Sequence, residues 1–197
     1  MPDLSAATPA SRRILATAED LFYSRGITAV GVDLIAEHSG VTKRTLYDRF
    51  GSKDALVAEY LAGRDQRWRE AVLAAIEACD DAGEAVLAPF AALRTWTATS
   101  TRGCAFINAL AELPDPAHPA HRIAVDQKRW LHRLFADLAT RAGCAEPAAL
   151  ATRLLLLHEG ALATQPLGLG TVSESMETAR ELVRASLSES LSESEAR

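Results

Sequence analysis

The stretch from Val32 to Lys53 constrains this chain more than any other part of it. Val32-Asp-Leu-Ile-Ala-Glu-His38 has the apolar spacing of a short amphipathic helix, and Ser39-Gly40 follows as a turn. A second short helix then begins near Val41 and carries Lys43, Arg44, Thr45, Leu46, Tyr47, Asp48, Arg49 and Phe50. Ala36, Gly40 and Leu46 stand at the spacing of a helix-turn-helix. Ala36 is small enough for the helices to cross closely, and Gly40 can take the positive φ of the turn. Ile35, Val41, Leu46 and Phe50 then pack the pair together, leaving the outer face of the second helix free to enter a DNA major groove. An ordinary pair of helices with a solvated basic face is the plainer alternative.

Charge favours the nucleic-acid reading. The chain as a whole is acidic, with a formal net charge of −5. Yet Lys43, Arg44, Arg49 and Lys53 gather around a single acid, Asp48. A concentrated positive patch on an acidic protein marks a surface that meets phosphate. Thr42, Lys43, Arg44 and Thr45 open the second helix, the end that reaches base edges. Arg44 or Lys43 can pair with guanine, and the threonine methyls can meet thymine methyls. Tyr47, Arg49 and Lys53 are better placed for phosphates, which position the protein without reading sequence. Asp48 is expected to pair with Arg44 at i,i+4 or to point to solvent.

Thr28 to Lys53, preceded by a helix over Ser11–Arg25, resembles the DNA-binding domain of TetR-type (TetR/AcrR) transcriptional regulators. The run Val41-Thr-Lys-Arg-Thr-Leu-Tyr-Asp-Arg-Phe-Gly-Ser-Lys-Asp-Ala-Leu56 carries most of that likeness. Arg102-Gly-Cys-Ala-Phe-Ile-Asn-Ala109 is similar to a segment found in some subgroups of the family. The resemblance implies DNA contacts from Thr28, Thr42, Lys43, Arg44, Thr45, Tyr47, Arg49 and Lys53. Two departures from the family pattern stand out. Gly31 occupies the cap of the second helix, where Thr or Ser is common, and Arg49 stands where His or Tyr is common.

The rest of the chain reads as helix throughout, giving an all-α fold of about nine helices. Thr8-Pro9 caps a first helix with Ile14, Leu15, Ala18, Leu21 and Phe22 on one stripe, ended by Gly26. Ser52 caps a long fourth helix reaching about Cys79, and Asp80-Asp-Ala-Gly83 breaks the pattern. A fifth helix carries Val86, Phe90, Leu93 and Trp96, and a sixth spans about Cys104 to Leu113. Leu113-Pro-Asp-Pro-Ala-His-Pro119 is a loop, because its prolines preclude helix. A seventh helix runs to Gly143, an eighth from near Glu146-Pro147 to Pro166, and a ninth carries Met176, Ala179, Leu182, Val183 and Leu187. Residues 1–7 are expected to be a disordered arm, and the Ser/Glu-rich tail Ser188–Arg197 to fray. The expected domains are a helix-turn-helix head over 8–53 and an effector-binding and dimerisation body over 54–190.

One helix-turn-helix buries too little for tight specific binding, so a homodimer on a palindromic operator of double-stranded DNA is expected. Leu154-Leu-Leu-Leu157 puts apolar groups on nearly every face of the eighth helix, which therefore needs a partner on both sides. With the family resemblance, Leu154, Leu155, Leu157, Leu182 and Val183 are the expected dimer interface. The resemblance also places a small-molecule effector among helices four to seven. Trp68, Phe90, Trp96, Phe106 and Trp130 are either core or the lining of a pocket for a lipophilic or aromatic ligand. Asn108 is either a polar contact for that ligand or a donor to a carbonyl of the Arg102-Gly103 turn.

Cys104 follows Gly103 at a helix start and is either a reactive thiol that senses oxidants and electrophiles or a small buried hydrophobe. Cys79, Cys104 and Cys144 form no disulfide framework or zinc pattern. His118 and His121, with Glu112 and Asp115, match no defined metal spacing, so no metal or cofactor is expected. No nucleophile–base motif or phosphate loop supports the rival reading, an enzyme using Glu112, His121 or Cys104. The chain has no long apolar span and no secretory leader, so a cytoplasmic protein without membrane contact is expected. The leading function is a ligand-responsive DNA-binding transcriptional regulator, most simply a repressor that its effector releases.

Overall fold

The computed structural model describes residues 8–98 and 102–195, with nine α-helices and no strand among them. They are α1 (Pro9–Arg25), α2 (Val32–Ser39), α3 (Lys43–Phe50), α4 (Lys53–Glu77), α5 (Ala82–Thr97), α6 (Ala105–Glu112), α7 (Pro119–Ala142), α8 (Pro147–Thr164) and α9 (Thr171–Glu195). The expected all-α fold is therefore found. The expected arm over residues 1–7 lies outside the described residues.

Local chemistry sets the boundaries. The Thr8 hydroxyl accepts from the Ser11 amide at the start of α1, and the Ser52 hydroxyl accepts from the Ala55 amide at the start of α4. Gly31 precedes α2 with no side-chain cap, as its missing hydroxyl requires. Gly40 stands at φ 65°, and the Val41 amide donates back to the Ala36 carbonyl, closing the turn between α2 and α3.

Two boundaries differ from the sequence reading. Asp80-Asp-Ala-Gly83 breaks the chain for less than its full length, because Asp81 accepts from the Glu84 amide and caps α5, which starts at Ala82. The tail does not simply fray, since α9 continues to Glu195. Serine and glutamate are tolerable helix residues once a helix is already nucleated on Ala179, Val183 and Leu187.

The chain divides into two compact units. The first comprises residues 1–66 and 105–126, the second residues 67–104 and 127–197. In the first, Ile14, Ala18, Leu21, Phe22, Ile35, Ala36, Leu46 and Phe50 are buried on α1 to α3, and Phe22 meets Tyr60 of α4 ring to ring. In the second, α5, α7, α8 and α9 bury Val86, Phe90, Leu131, Phe135, Leu150, Leu154 and Val183 in one cluster. A smaller cluster gathers Trp68 and Val72 of α4 with Leu93 of α5 and Leu162 of α8.

Candidate DNA interface and effector core

In the head, Leu46 is fully buried and Phe50 nearly so, which fixes the inner face of α3. The outer face is left open. The Arg44 side chain is 91% exposed and Tyr47 45% exposed, and Thr42, Lys43 and Arg49 are exposed as well. Thr45 and Lys53 are half-buried. The Thr42 hydroxyl accepts from the Thr45 amide and lies 3.0 Å from the Thr45 hydroxyl. Both hydroxyls thus hold the helix start, leaving their methyls as the groups free to touch a base. Lys43 pairs with Asp33 of α2, and Arg44 Nε lies 3.9 Å from Asp48 at i,i+4, the pairing expected from sequence. Both pairs are solvated, so each is weak enough for a phosphate or base edge to displace.

Thr28 enters differently. Its amide donates to Glu112 Oε2 of α6 at 2.7 Å, and a Cβ placed on Gly26 would stand 3.2 Å from the same carboxylate. One acid from α6 thus seats the turn between α1 and α2. Sequence reading gave Glu112 no such role, since its partner is 84 residues away. Nearby, His118 Nδ1 accepts from the Ala120 amide and its Nε2 lies 3.4 Å from Asp54. His121 Nδ1 lies 2.7 Å from the Leu113 carbonyl, and Asp115 accepts from the Ala117 amide. His121 and Asp115 thus hold the loop's own backbone, and no group of three metal-ligating side chains occurs among the described residues.

In the second unit, Trp68, Trp96 and Phe90 come together around a residue that sequence reading passed over. His158 of α8 is 1% exposed, and its ring centroid lies 5.6 Å from those of Trp68 and Phe90 and 6.3 Å from Phe135. Trp68 packs edge-on against Trp96 at 5.4 Å. Trp130 is half-buried under the guanidinium of Arg69, 4.6 Å from its ring centre. Phe106 and Asn108 fall on α6 in the first unit, buried and half-buried respectively. A surface cleft of about 310 Å³ at the turn between α4 and α5 is lined by Cys79, Asp80, Asp81 and Arg141, but by none of these aromatic residues.

A buried polar chain runs on from His158. Its Nδ1 lies 3.2 Å from Glu159 Oε1. Lys128 Nζ of α7 sits 2.8 Å from each oxygen of that carboxylate and 3.2 Å from Cys104 Sγ. Burial lowers the Lys128 pKa, but Cys104 and Glu159 outweigh it and hold the ammonium above its ordinary range. Burial likewise raises the Glu159 carboxyl, and His158 and Lys128 more than reverse that, keeping it ionised. Burial dominates at His158, whose pKa falls despite Glu159, so the imidazole is neutral. The only sequence signal was a His-Glu pair set inside the apolar run of α8.

The proposed dimer residues divide. Leu154 and Val183 are buried in the chain's own core, Leu155, Leu157 and Leu182 pack half-buried against it, and Leu156 is 69% exposed. No helix among the described residues is long and apolar enough to cross a membrane.

Known proteins match this arrangement over nearly the whole chain. Residues 14–60 fit the family described as bacterial regulatory proteins, tetR family. The crystal structure of SCO4454, a TetR-family transcriptional regulator from Streptomyces coelicolor, is 35% identical, with a TM-score of 0.82 over 91% of this chain and 95% of that one. A TetR regulator from Streptomyces avermitilis is 31% identical, with a TM-score of 0.76 over 91% and 98%. The HTH-type transcriptional regulator YjdC of Escherichia coli K12 is 28% identical over 76% of this chain and 79% of its own. All three are described as transcriptional regulators. The chain belongs to the TetR family of bacterial regulatory proteins and is a DNA-binding transcriptional regulator.

Proposed function

We infer that this protein is an effector-released repressor that binds a palindromic operator as a two-fold homodimer. The observation that carries this reading is the recognition helix α3. Its inner face is locked by Leu46 and Phe50, while its first turn offers Lys43 and Arg44 to solvent on pairs weak enough to exchange. Residues 8–53 act as the head, with Thr28, Thr42, Lys43, Arg44, Thr45, Tyr47, Arg49 and Lys53 at the DNA. Residues 54–190 act as the body.

The dimer face is assigned to α8 and α9. Leu156 is open to solvent there, Leu155, Leu157 and Leu182 are half-buried, and Leu154 and Val183 belong to the core beneath. The effector is assigned to the second unit, at Trp68, Phe90, Trp96 and Trp130, and the protein works in the bacterial cytoplasm. Effector binding shifts the separation of the two heads. A coupling of about 1–3 kcal/mol changes operator affinity roughly 5–150-fold, sufficient for release. The test is a pair of variants on a selected operator. Arg44→Ala should cost about 1–3 kcal/mol and relax one base position, whereas Lys53→Ala should weaken all sequences alike. Equal binding by both variants and the parent would overturn the assigned roles.

A second reading, thiol-based sensing at Cys104, is favoured by one contact, the Lys128 ammonium 3.2 Å from its sulfur. The thiolate form of Cys104 attacks a peroxide oxygen, forming an S–O bond as the O–O bond breaks and hydroxide leaves. Hydrogen peroxide should then weaken operator binding by the parent and leave Cys104→Ser unaffected. Equal loss in both would remove this reading.

A further inference from the structure

The interior of the second unit contains polar atoms that folding leaves without partners. Trp68 Nε1, His158 Nε2 and Gln127 Oε1 are all buried and have no hydrogen-bond partner among the described residues. Their residues are 4%, 1% and 2% exposed. Each such group is destabilising when it is desolvated and unpaired. Phenylalanine at 68 or leucine at 158 would fill the same space without that cost. Three such groups in one helical body call for a partner from outside the chain, a buried water or a ligand.

The donor pattern specifies that partner. His158 is neutral, and its Nδ1–H donates to Glu159, so Nε2 carries a lone pair directed away from the carboxylate. Trp68 Nε1–H is a donor and nothing else. Its ring packs against the imidazole with the centroids 5.6 Å apart, so both unpaired atoms belong to one aromatic cluster. A group that donates to His158 or accepts from Trp68 is what a hydroxyl supplies. Gln127 Oε1, one turn before the buried Leu131 on α7, is another buried acceptor of the same unit.

Charge narrows the class further. The Lys128 ammonium is bound to both oxygens of Glu159, so the cluster has no surplus cation for a carboxylate or phosphate. A charged ligand would lose its hydration with no counter-ion in return. The rings of Trp68, Trp96, Phe90 and Phe135 supply flat apolar contacts instead.

We propose that the effector site is centred on His158 and Trp68 and takes a neutral aromatic hydroxyl compound, of the phenol class. This rests on the effector-controlled reading above and assigns the chemistry of its ligand. His158 is the specificity residue, held in the accepting tautomer by Glu159 and Lys128.

The test titrates the full-length protein with phenol, toluene and benzoate, following heat and the fluorescence of its tryptophans. Phenol should bind about tenfold or more tighter than toluene, the worth of a buried hydrogen bond, and benzoate weakest. In His158→Phe the preference for phenol over toluene should vanish while toluene binding persists. Trp68→Phe keeps a ring in place, loses the donor and should narrow the same preference, so the proposal survives a folding failure of the first variant. It is overturned if phenol and toluene bind alike, if benzoate binds tightest, if none of the three binds, or if the preference survives in both variants. Operator binding is measured on the same samples. Release of DNA by other compounds with no phenol binding sinks the phenol-class assignment and leaves the repressor reading intact. Phenol binding with the stated pattern but no change in operator affinity upholds the site and sinks effector release.

Discussion

Replacing Lys128 by methionine removes one charge from the middle of the second unit and leaves the Glu159 carboxylate behind. At 2.8 Å and an effective dielectric constant of about 20, the gross attraction in this pair is about 6 kcal/mol. Most of that offsets the cost of taking both ions out of water. What a single deletion exposes is the remaining buried charge, about 3–5 kcal/mol for a fully enclosed pair. Here the two side chains are 15% and 21% exposed, so water can partly rehydrate Glu159, and about 2–4 kcal/mol is expected. For a chain of this length that lowers Tm by about 4–16 °C. Glu159→Gln should cost a similar amount, because Lys128 is then the orphan. The double variant should lose less than the sum, by about 2 kcal/mol or more, since a thioether and an amide leave no buried charge. The assay is chemical denaturation at pH 8 with all four proteins at equal concentration, because the stability of any dimer depends on protomer concentration. Additive losses, or a single loss under about 1 kcal/mol, would refute the view that these groups form one buried unit.

Other perturbations test separate joints of the structure. Glu112→Ala removes the acceptor of the Thr28 amide at 2.7 Å and should weaken operator binding several-fold, read by gel shift, while effector binding measured by titration stays unchanged. Gly26→Ala forces a side chain onto φ 94° and against Glu112, so the head should lose about 1–2 kcal/mol in thermal denaturation. Leu46→Ala opens a cavity under α3 and should cost about 2–5 kcal/mol together with DNA binding. The pH dependence has a definite sign. The His158 pKa is depressed by burial below its ordinary 6.5, so its contribution is complete above pH 6.5 and declines as pH falls through the folded value. The Glu159 pKa is depressed from 4.5, which adds a further loss at lower pH. His158→Phe should abolish the first of these slopes in denaturation curves measured from pH 8 to pH 5, and an unchanged slope would rule out a buried neutral imidazole.

Sequence reading succeeded where the determining contacts are local. Ala36, Gly40 and Leu46 specify the helix-turn-helix because close crossing, a left-handed turn and an apolar anchor each demand a particular kind of residue. Thr8 and Ser52 mark helix starts for the same reason, each cap reaching only three residues ahead. The Asp81–Glu84 cap was equally local and was hidden by Gly83, read as a helix breaker although it lies inside α5. What escaped was set by distance along the chain. His158-Glu159 follows four leucines and gives no hint of Lys128, 31 residues from Glu159, or of the aromatic rings around the imidazole. Glu112 was weighed as a metal or catalytic acid because its real partner, the Thr28 amide, is a backbone group that no side-chain pattern reveals. Trp68, Phe90 and Trp96 were legible as a set because hydrophobic period places them on buried faces. The polar atoms that give the set its chemistry were not.

The central claim, a two-headed reader of a palindromic site, is tested most directly by selecting random DNA duplexes against the purified protein at about 150 mM salt, where non-specific phosphate binding is weak. The account predicts recovery of a palindrome bound with nanomolar affinity, with half-sites about 34–36 Å or a multiple of that apart. Recovery of no shared sequence, with weak binding that disappears as salt rises, would contradict it.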